Sequence, residues 1–162
     1  MSAAHIRECD LSRDRHALLT FITGSQHYEH AIEPNRRLDP QVSEEYLTRI
    51  LSLLGEGAGR IFVATDDTNR AVGWGVVVEQ DDDIFVIAEE RRHAYIAELF
   101  VVEPLRGTGA GRALIGACED WARARGLTVM QIGVLPGNTR AHEIYRRQGY
   151  ADYGIQLRKY LR

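Results

Sequence analysis

Lysine is almost absent: Lys159 is the only one among 162 residues, and arginine carries the rest of the positive charge. A Schiff-base mechanism or a phosphate-loop lysine therefore has little to rest on. Cysteine is scarce as well. Cys9 and Cys118 lie far apart, with no pairwise metal spacing, and no disulfide is expected. No apolar run approaches the roughly 20 residues needed to span a bilayer, and "MSAAHIRECD" lacks the apolar core of a signal peptide. The expectation is a cytoplasmic protein with no membrane partner. A net charge of -3 gives no general reason to bind a polyanion, so no nucleic-acid partner is expected. No repeat or low-complexity linker interrupts the chain, which reads as a single domain over 1–162.

What is present is ordinary globular composition, 44% hydrophobic and 27% charged, arranged in clear periods. "HIREC" (5–9) predicts a strand. Asp10 or Ser12 caps a helix carrying Leu18, Phe21 and Ile22, which Gly24 is expected to stop. Residues 25–42, broken by Pro34 and Pro40, read as an ordered loop or broken helix. Ser43 then caps a helix with Tyr46, Leu47, Ile50 and Leu54 in period. "RIFVAT" and "AVGWGVVVE" form strands around the turn "DDTN", and "AYIAELFVV" (94–102) is the strongest strand. A helix over about 111–125, a strand "TVMQIGVL", a short helix through Ala141 and Tyr145, and a last strand "YGIQLRKYL" complete the order βααβββαβαβ. The expected class is α+β, with one mostly antiparallel mixed sheet flanked by about four helices.

The densest signal is "PLRGTGAGRAL" (104–114), which joins the strongest strand to a helix. Glycine at 107, 109 and 111 removes β-carbons where an anion would approach, and the first N–H groups of a helix have no intrahelical partner. A tight turn requiring positive φ is the simpler alternative. The G-x-G-x-x-G fingerprint fails: counted from Gly107 its third glycine is Arg112, and counted from Gly109 it is Leu114. No Gly-Lys-Ser/Thr occurs either. What fits is Arg-x-x-Gly-x-Gly, at Arg106, Gly109 and Gly111.

Glu98 is the sole charge within "AYIAELFVV", where burial raises a carboxyl pKa towards the range of a general base. An ion-paired glutamate on a strand face is the alternative. In the same way Asn138 reads as a helix N-cap or a ligand contact, and Tyr145 as a packed face residue beside Ile144 or a functional hydroxyl.

With its strand, loop and helix "AELFVVEPLRGTGAGRALI" and its later "VLPGNTRAHEIYRRQGY", the chain resembles the GNAT superfamily of acyl-CoA-dependent N-acyltransferases. The likeness extends to "HIREC" and "AVGWGVVV" and is weakest in the N-terminal third. It implies a GNAT fold in which the fourth and fifth strands splay apart, with the backbone of Leu99, Phe100 and Val101 along the pantetheine of acetyl-CoA. Arg106, Gly107, Thr108, Gly109, Ala110, Gly111 and Arg112 would surround the pyrophosphate, with Asn138 opposite. It further implies transfer of acetyl to a primary amine by direct attack in a ternary complex, with Glu98 as base and Tyr145 assisting the leaving thiolate. A phenol near 10 and a thiol near 8.5 make full proton donation uphill by about 1.5 units, so a hydrogen bond suffices. A small-molecule amine is the expected acceptor; a protein or peptide amine, or a non-catalytic CoA-binding sensor, remains the alternative, and a homodimer is left open.

On the acceptor side Tyr28, His30 and Glu33 are the expected substrate-binding residues. His27, His30 and Glu33 are spaced by three, but the glutamate-histidine zinc motif is missing and no metal is expected. Asp81, Asp82, Asp83, Glu89 and Glu90 between two strands, with Glu29 and Glu33 in the broken region after the first helix, would attract a cationic amine if they surrounded the cleft; a solvated hairpin tip is the simpler reading. Cys118 lies on the apolar face of its helix and reads as a buried hydrophobe, with covalent catalysis through its thiol as a minor rival.

Overall fold

The computed structural model describes residues 4–161, the side chain of Glu56 excepted. Five strands form one sheet in sequence order: β1 (His5–Glu8), β2 (Gly59–Thr65), β3 (Ala71–Asp81), β4 (Arg92–Val101) and β5 (Met130–Ile132). The first three pairings are antiparallel and β4 with β5 is parallel. The helices are α1 (Leu11–Ile32), α2 (Val42–Leu53), the single turn α3 (Ala88–Arg91), α4 (Ala110–Ala124) and α5 (Thr139–Arg147).

β3 is buried on both faces, which is why "AVGWGVVVE" is apolar without alternation. Trp74, Val76 and Val78 pack with Leu18, Phe21 and Ile22 of α1 and Leu47 and Ile50 of α2. Val77 faces the other way, onto Ile115, Cys118 and Ala122 of α4. Each such fully buried side chain contributes about 1.5–3 kcal/mol. α1 is tied to β1 by Arg7, whose guanidinium donates to both oxygens of Asp14 at 2.7 and 2.8 Å.

Three elements differ from the sequence expectation in ways that matter for the site. Helix α1 does not stop at Gly24; it runs two further turns, to Ile32, and Pro34 follows its end. A β-carbon on Gly24 would stand 2.8 Å from Cζ of Phe100, so this glycine is where the helix crosses β4 in close contact. Residues 25–32 are thus helical, and only 33–41 form the connection to α2, whose N-cap is Gln41 while Ser43 lies inside the helix. The second difference is "YGIQLRKYL", which is exposed and, among the described residues, pairs with no strand. The predicted strand "TVMQIGVL" is also shorter, only Met130–Ile132, because β5 leaves the sheet there.

Candidate active site

The departure of β5 creates the cleft. β4 and β5 are paired at Ala94↔Met130, Tyr95↔Gln131 and Ile96↔Ile132, and beyond that they part. Among the described residues the β5 side of residues 97–101 is therefore left without a strand partner. Within the β3–β4 register Val76 faces Glu98 while Val77 faces Ile96, so Ala97 is the extra residue of a bulge. A bulge bends a strand and re-aims the side chain beside it, here Glu98. The opening is a cleft of about 530 Å³ whose walls include Glu98, Leu99, Gly107, Val134, Asn138 and Tyr145.

At one end of the cleft the glycine loop meets α4. Gly107 (φ 84°) and Gly109 (φ 98°) are in the left-handed region, where a side chain is strained. Gly109 is the N-cap and supplies no side-chain cap, so the N–H groups of Ala110, Gly111 and Arg112 start the helix without a side-chain acceptor. This is the donor set an anion needs, and the loop has both properties at once: the turn that needs glycine and the bare helix start. Ala110 itself is buried. Thr108 donates its hydroxyl to the Leu105 carbonyl at 2.7 Å and shapes the turn. Arg106 folds back, its Nε donating to the Val101 carbonyl at 3.0 Å and its guanidinium lying over the rings of Tyr28 and Phe100. Arg112 stands outside the cleft, on an adjoining groove of about 480 Å³ between α4 and α5 that it shares with Arg147.

Glu98 faces the middle of the cleft. Burial, opposed by a hydrogen bond from Tyr46 and reinforced by the charge of Glu29, pushes it up from 4.5 to about 7. The Tyr46 hydroxyl donates to Glu98 Oε1 at 2.5 Å. Tyr46 comes from α2, and sequence analysis read it only as part of the apolar stripe; no local pattern pairs it with a residue 52 positions away. Tyr145 borders the same space, and burial raises its phenol to about 12. Asn138 is the N-cap of α5, accepting from Ala141 N at 3.2 Å, and also accepts from the Tyr28 hydroxyl at 3.2 Å. Capping and lining the cleft thus coexist in one side chain.

Of the three acceptor-side residues named from sequence, only Tyr28 lines the cleft. The His30 ring nitrogen is bonded to the Arg36 carbonyl at 2.9 Å, and Glu33 is paired with Arg158 at 2.9 Å. The helical continuation of 25–32 turns Ser25 and Glu29 inward instead, and Arg36 joins them, its Nε donating to Glu29 Oε2 at 2.6 Å. The acidic segment lies off the cleft lining: Asp82 accepts from Gln131 and faces His93 at 3.4 Å, and Asp83 accepts from Ile84 N.

The model of the Acetyltransferase (GNAT) family matches residues 25–150. The chain belongs to this family. An uncharacterized N-acetyltransferase of Methanocaldococcus jannaschii, MJ1207, is 38% identical over 64 residues, which are 40% of this chain and 28% of that protein. The chain thus spans under a third of that relative. Among solved structures, a tetramutant of the BH1408 protein from Bacillus halodurans superposes with a TM-score of 0.80 at 20% identity, over 97% of this chain and 99% of that one. The structure of AAC(6')-Iy in complex with the bisubstrate analog CoA-S-monomethyl-acetylneamine gives 0.69 at 19% identity, over 99% and 100%. At such identities these two likenesses establish the GNAT fold.

Within that fold Cys118 is fully buried, its thiol pushed up by burial to about 12, and it packs beneath Gly75. A nucleophile has to reach the acyl group as a thiolate, and this sulfur meets neither condition. Among the described residues no helix is long and apolar enough to cross a membrane.

Proposed function

We propose that the protein transfers acetyl from acetyl-CoA to a primary amine of a small molecule by direct attack, with Glu98 as general base. The observation that carries this reading is a carboxylate raised to about 7 between a strand edge without a partner and a bare helix N-terminus. Acetyl-CoA, when bound, supplies the thioester on which the amine acts. The residues present fit it: the N–H groups of Ala110, Gly111 and Arg112 suit its pyrophosphate, the backbone of Leu99 to Val101 suits its amide-bearing arm, and Arg112 with Arg147 suits further phosphate charge.

An alkylamine is almost wholly protonated at neutral pH, and freeing its lone pair costs about 5 kcal/mol. Glu98, ionised above about pH 7, is placed to accept that proton. Backbone N–H groups of 97–101 that face the cleft can donate to oxygen as negative charge develops on it. Tyr145, at about 12, lies about 3.5 units above a thiol near 8.5, so complete proton donation is uphill by roughly 5 kcal/mol and its hydroxyl acts as a hydrogen-bond donor to sulfur. Glu29 and Glu98 together favour a cationic acceptor, and Tyr28, Ser25 and Arg36 bound the space it would enter. Support for a small-molecule acceptor comes from the bisubstrate analog CoA-S-monomethyl-acetylneamine in complex with AAC(6')-Iy.

Thiol release from acetyl-CoA, measured against a panel of polyamines, aminoglycosides, amino acids and peptides, tests the reading. Turnover with one small-amine class is the expected result. Turnover with peptides alone would replace the acceptor class, and tight CoA binding without turnover on any amine would make the protein a sensor.

A further inference from the structure

The connection between α1 and α2 brings one cation to the cleft, Arg36, and holds it before any ligand arrives. Its carbonyl is bonded to the His30 ring at 2.9 Å, its Nε donates to Glu29 Oε2 at 2.6 Å, and its Nη1 donates to Asn35 Oδ1 at 2.7 Å. A guanidinium has more N–H donors than these ties use. Among the described residues Nη2 has no hydrogen-bond partner, on a side chain that lines the cleft and stays 28% exposed. A side chain fixed in advance loses little rotamer freedom when a ligand docks on it.

The charges around the cleft do not suit a ligand that is only a cation. Among the described lining residues the acids are Glu29 and Glu98, and the bases are Arg36, Arg106 and Arg140. Arg106 is turned onto the Val101 carbonyl and the rings of Tyr28 and Phe100. Even with Arg140 given to cofactor phosphate, Arg36 remains on the acceptor side, beside Glu29. Glu29 stands between the two signs, since its carboxylate holds Arg36 and its charge is felt by Glu98. The acceptor end thus has a negative half, Glu98 with Glu29, next to a positive half, the open edge of Arg36. A diamine would press its second ammonium against that edge, and a neutral tail would leave Nη2 to water.

We propose that the acceptor is a small amine that also carries a carboxylate, its ammonium lying between Glu98 and Glu29 and its carboxylate on the Nη2 edge of Arg36. This rests on the acetyl-transfer reading of Glu98 and names the acceptor class within it. One ammonium proton passes to Glu98, the freed nitrogen bonds the acetyl carbon as the C–S bond breaks, and a second proton leaves nitrogen for the departing sulfur. The carboxylate takes no part in these steps. It fixes which nitrogen reaches Glu98, and Arg36 is the residue that selects for it.

Three acceptors of matched chain length supply the test: the ω-amino acid, the ω-amino alcohol and the α,ω-diamine, each tried over a ladder of lengths. With acetyl-CoA saturating, kcat/KM for the amino acid at its best length should exceed that for the alcohol about 10- to 100-fold, with the diamine lowest. Arg36→Gln should reverse the order, because Glu29 is then unopposed, and Arg36→Lys, which keeps the charge, should keep it. A wild-type order led by the alcohol or the diamine overturns the proposal. So does an Arg36→Gln variant that lowers all three alike, since the arginine would then only brace the connection. Calorimetry of the same compounds on the CoA-saturated protein reads the site without turnover and should give the same order. Amino-acid preference in binding with no acetyl transfer would keep the carboxylate site and remove the reaction assigned to Glu98. Equal or absent binding of the three compounds overturns the carboxylate site, and acetyl transfer then stands or falls on thiol release alone.

Discussion

One wall of the cleft, from Leu99 to Gly111, meets a ligand with backbone, whereas another, with Tyr28, Glu29 and Arg36 and with Tyr46 bonded to Glu98, meets it with side chains already held by hydrogen bonds. The first is fixed by conformation: two positive-φ glycines and a helix start with no side-chain cap. Its donors survive almost any substitution that leaves the turn intact. The second depends on side-chain identity at every point, through Glu29 with Arg36, Tyr28 with Asn138, and Tyr46 with Glu98. A fold can therefore hold one constant cofactor with the first wall and change acceptors with the second.

Breaking the side-chain wall at its chemical centre should have the largest effect. Glu98→Gln keeps the shape and a bond to Tyr46 but cannot accept a proton, and kcat should fall by about 10²–10⁴. The wild-type rise in rate through about pH 7 should vanish with it. A variant that keeps the profile would remove Glu98 as the base.

Breaking the backbone wall should read out differently. Gly109→Val forces a β-branched residue to φ 98° at the helix start, costing about 1–3 kcal/mol of strain. Titration with CoA should show affinity reduced by about 10- to 100-fold, while the KM for the amine moves little. Equal loss on both substrates would show that the walls are not independent.

The backbone wall was also the one legible in sequence, because glycine at 107, 109 and 111 and the apolar run ending before Arg106 are local facts. The side-chain wall was hidden for a physical reason. Gly24 looked like a helix stop, yet its lack of a β-carbon serves the crossing over Phe100, a contact between residues 76 positions apart. Cut short in reading, that helix left Glu29 as one of several acids around a broken region, and His30 and Glu33 were named beside Tyr28 as the acceptor-side residues. Tyr46 was hidden in the same way, since an amphipathic stripe does not tell a packing ring from one whose hydroxyl reaches a strand.

The stability of the fold should carry the mark of the same carboxyl. Glu98 has a folded value of about 7 against 4.5 when unperturbed, so the folded state binds the proton more tightly. The associated stabilisation is complete below about pH 4.5 and is lost as pH rises through about 7. The loss is on the order of 3–4 kcal/mol. Glu98→Gln should remove this dependence, so denaturant midpoints of variant and wild type should diverge between pH 5 and pH 8, with the variant favoured at the higher pH.

Tyr46→Phe is the finest of these tests. The phenol donates to ionised Glu98 and holds its pKa down against the burial that raises it, so losing that bond should raise the pKa further. The acid limb of the kcat profile should then move above pH 7 while the alkaline plateau stays within a few-fold of wild type. A tyrosine that only packed α2 against the sheet would, when trimmed of its hydroxyl, lower the rate equally at every pH and leave the limb where it was. The direction of that limb therefore tells whether the side-chain wall tunes the base or merely supports it.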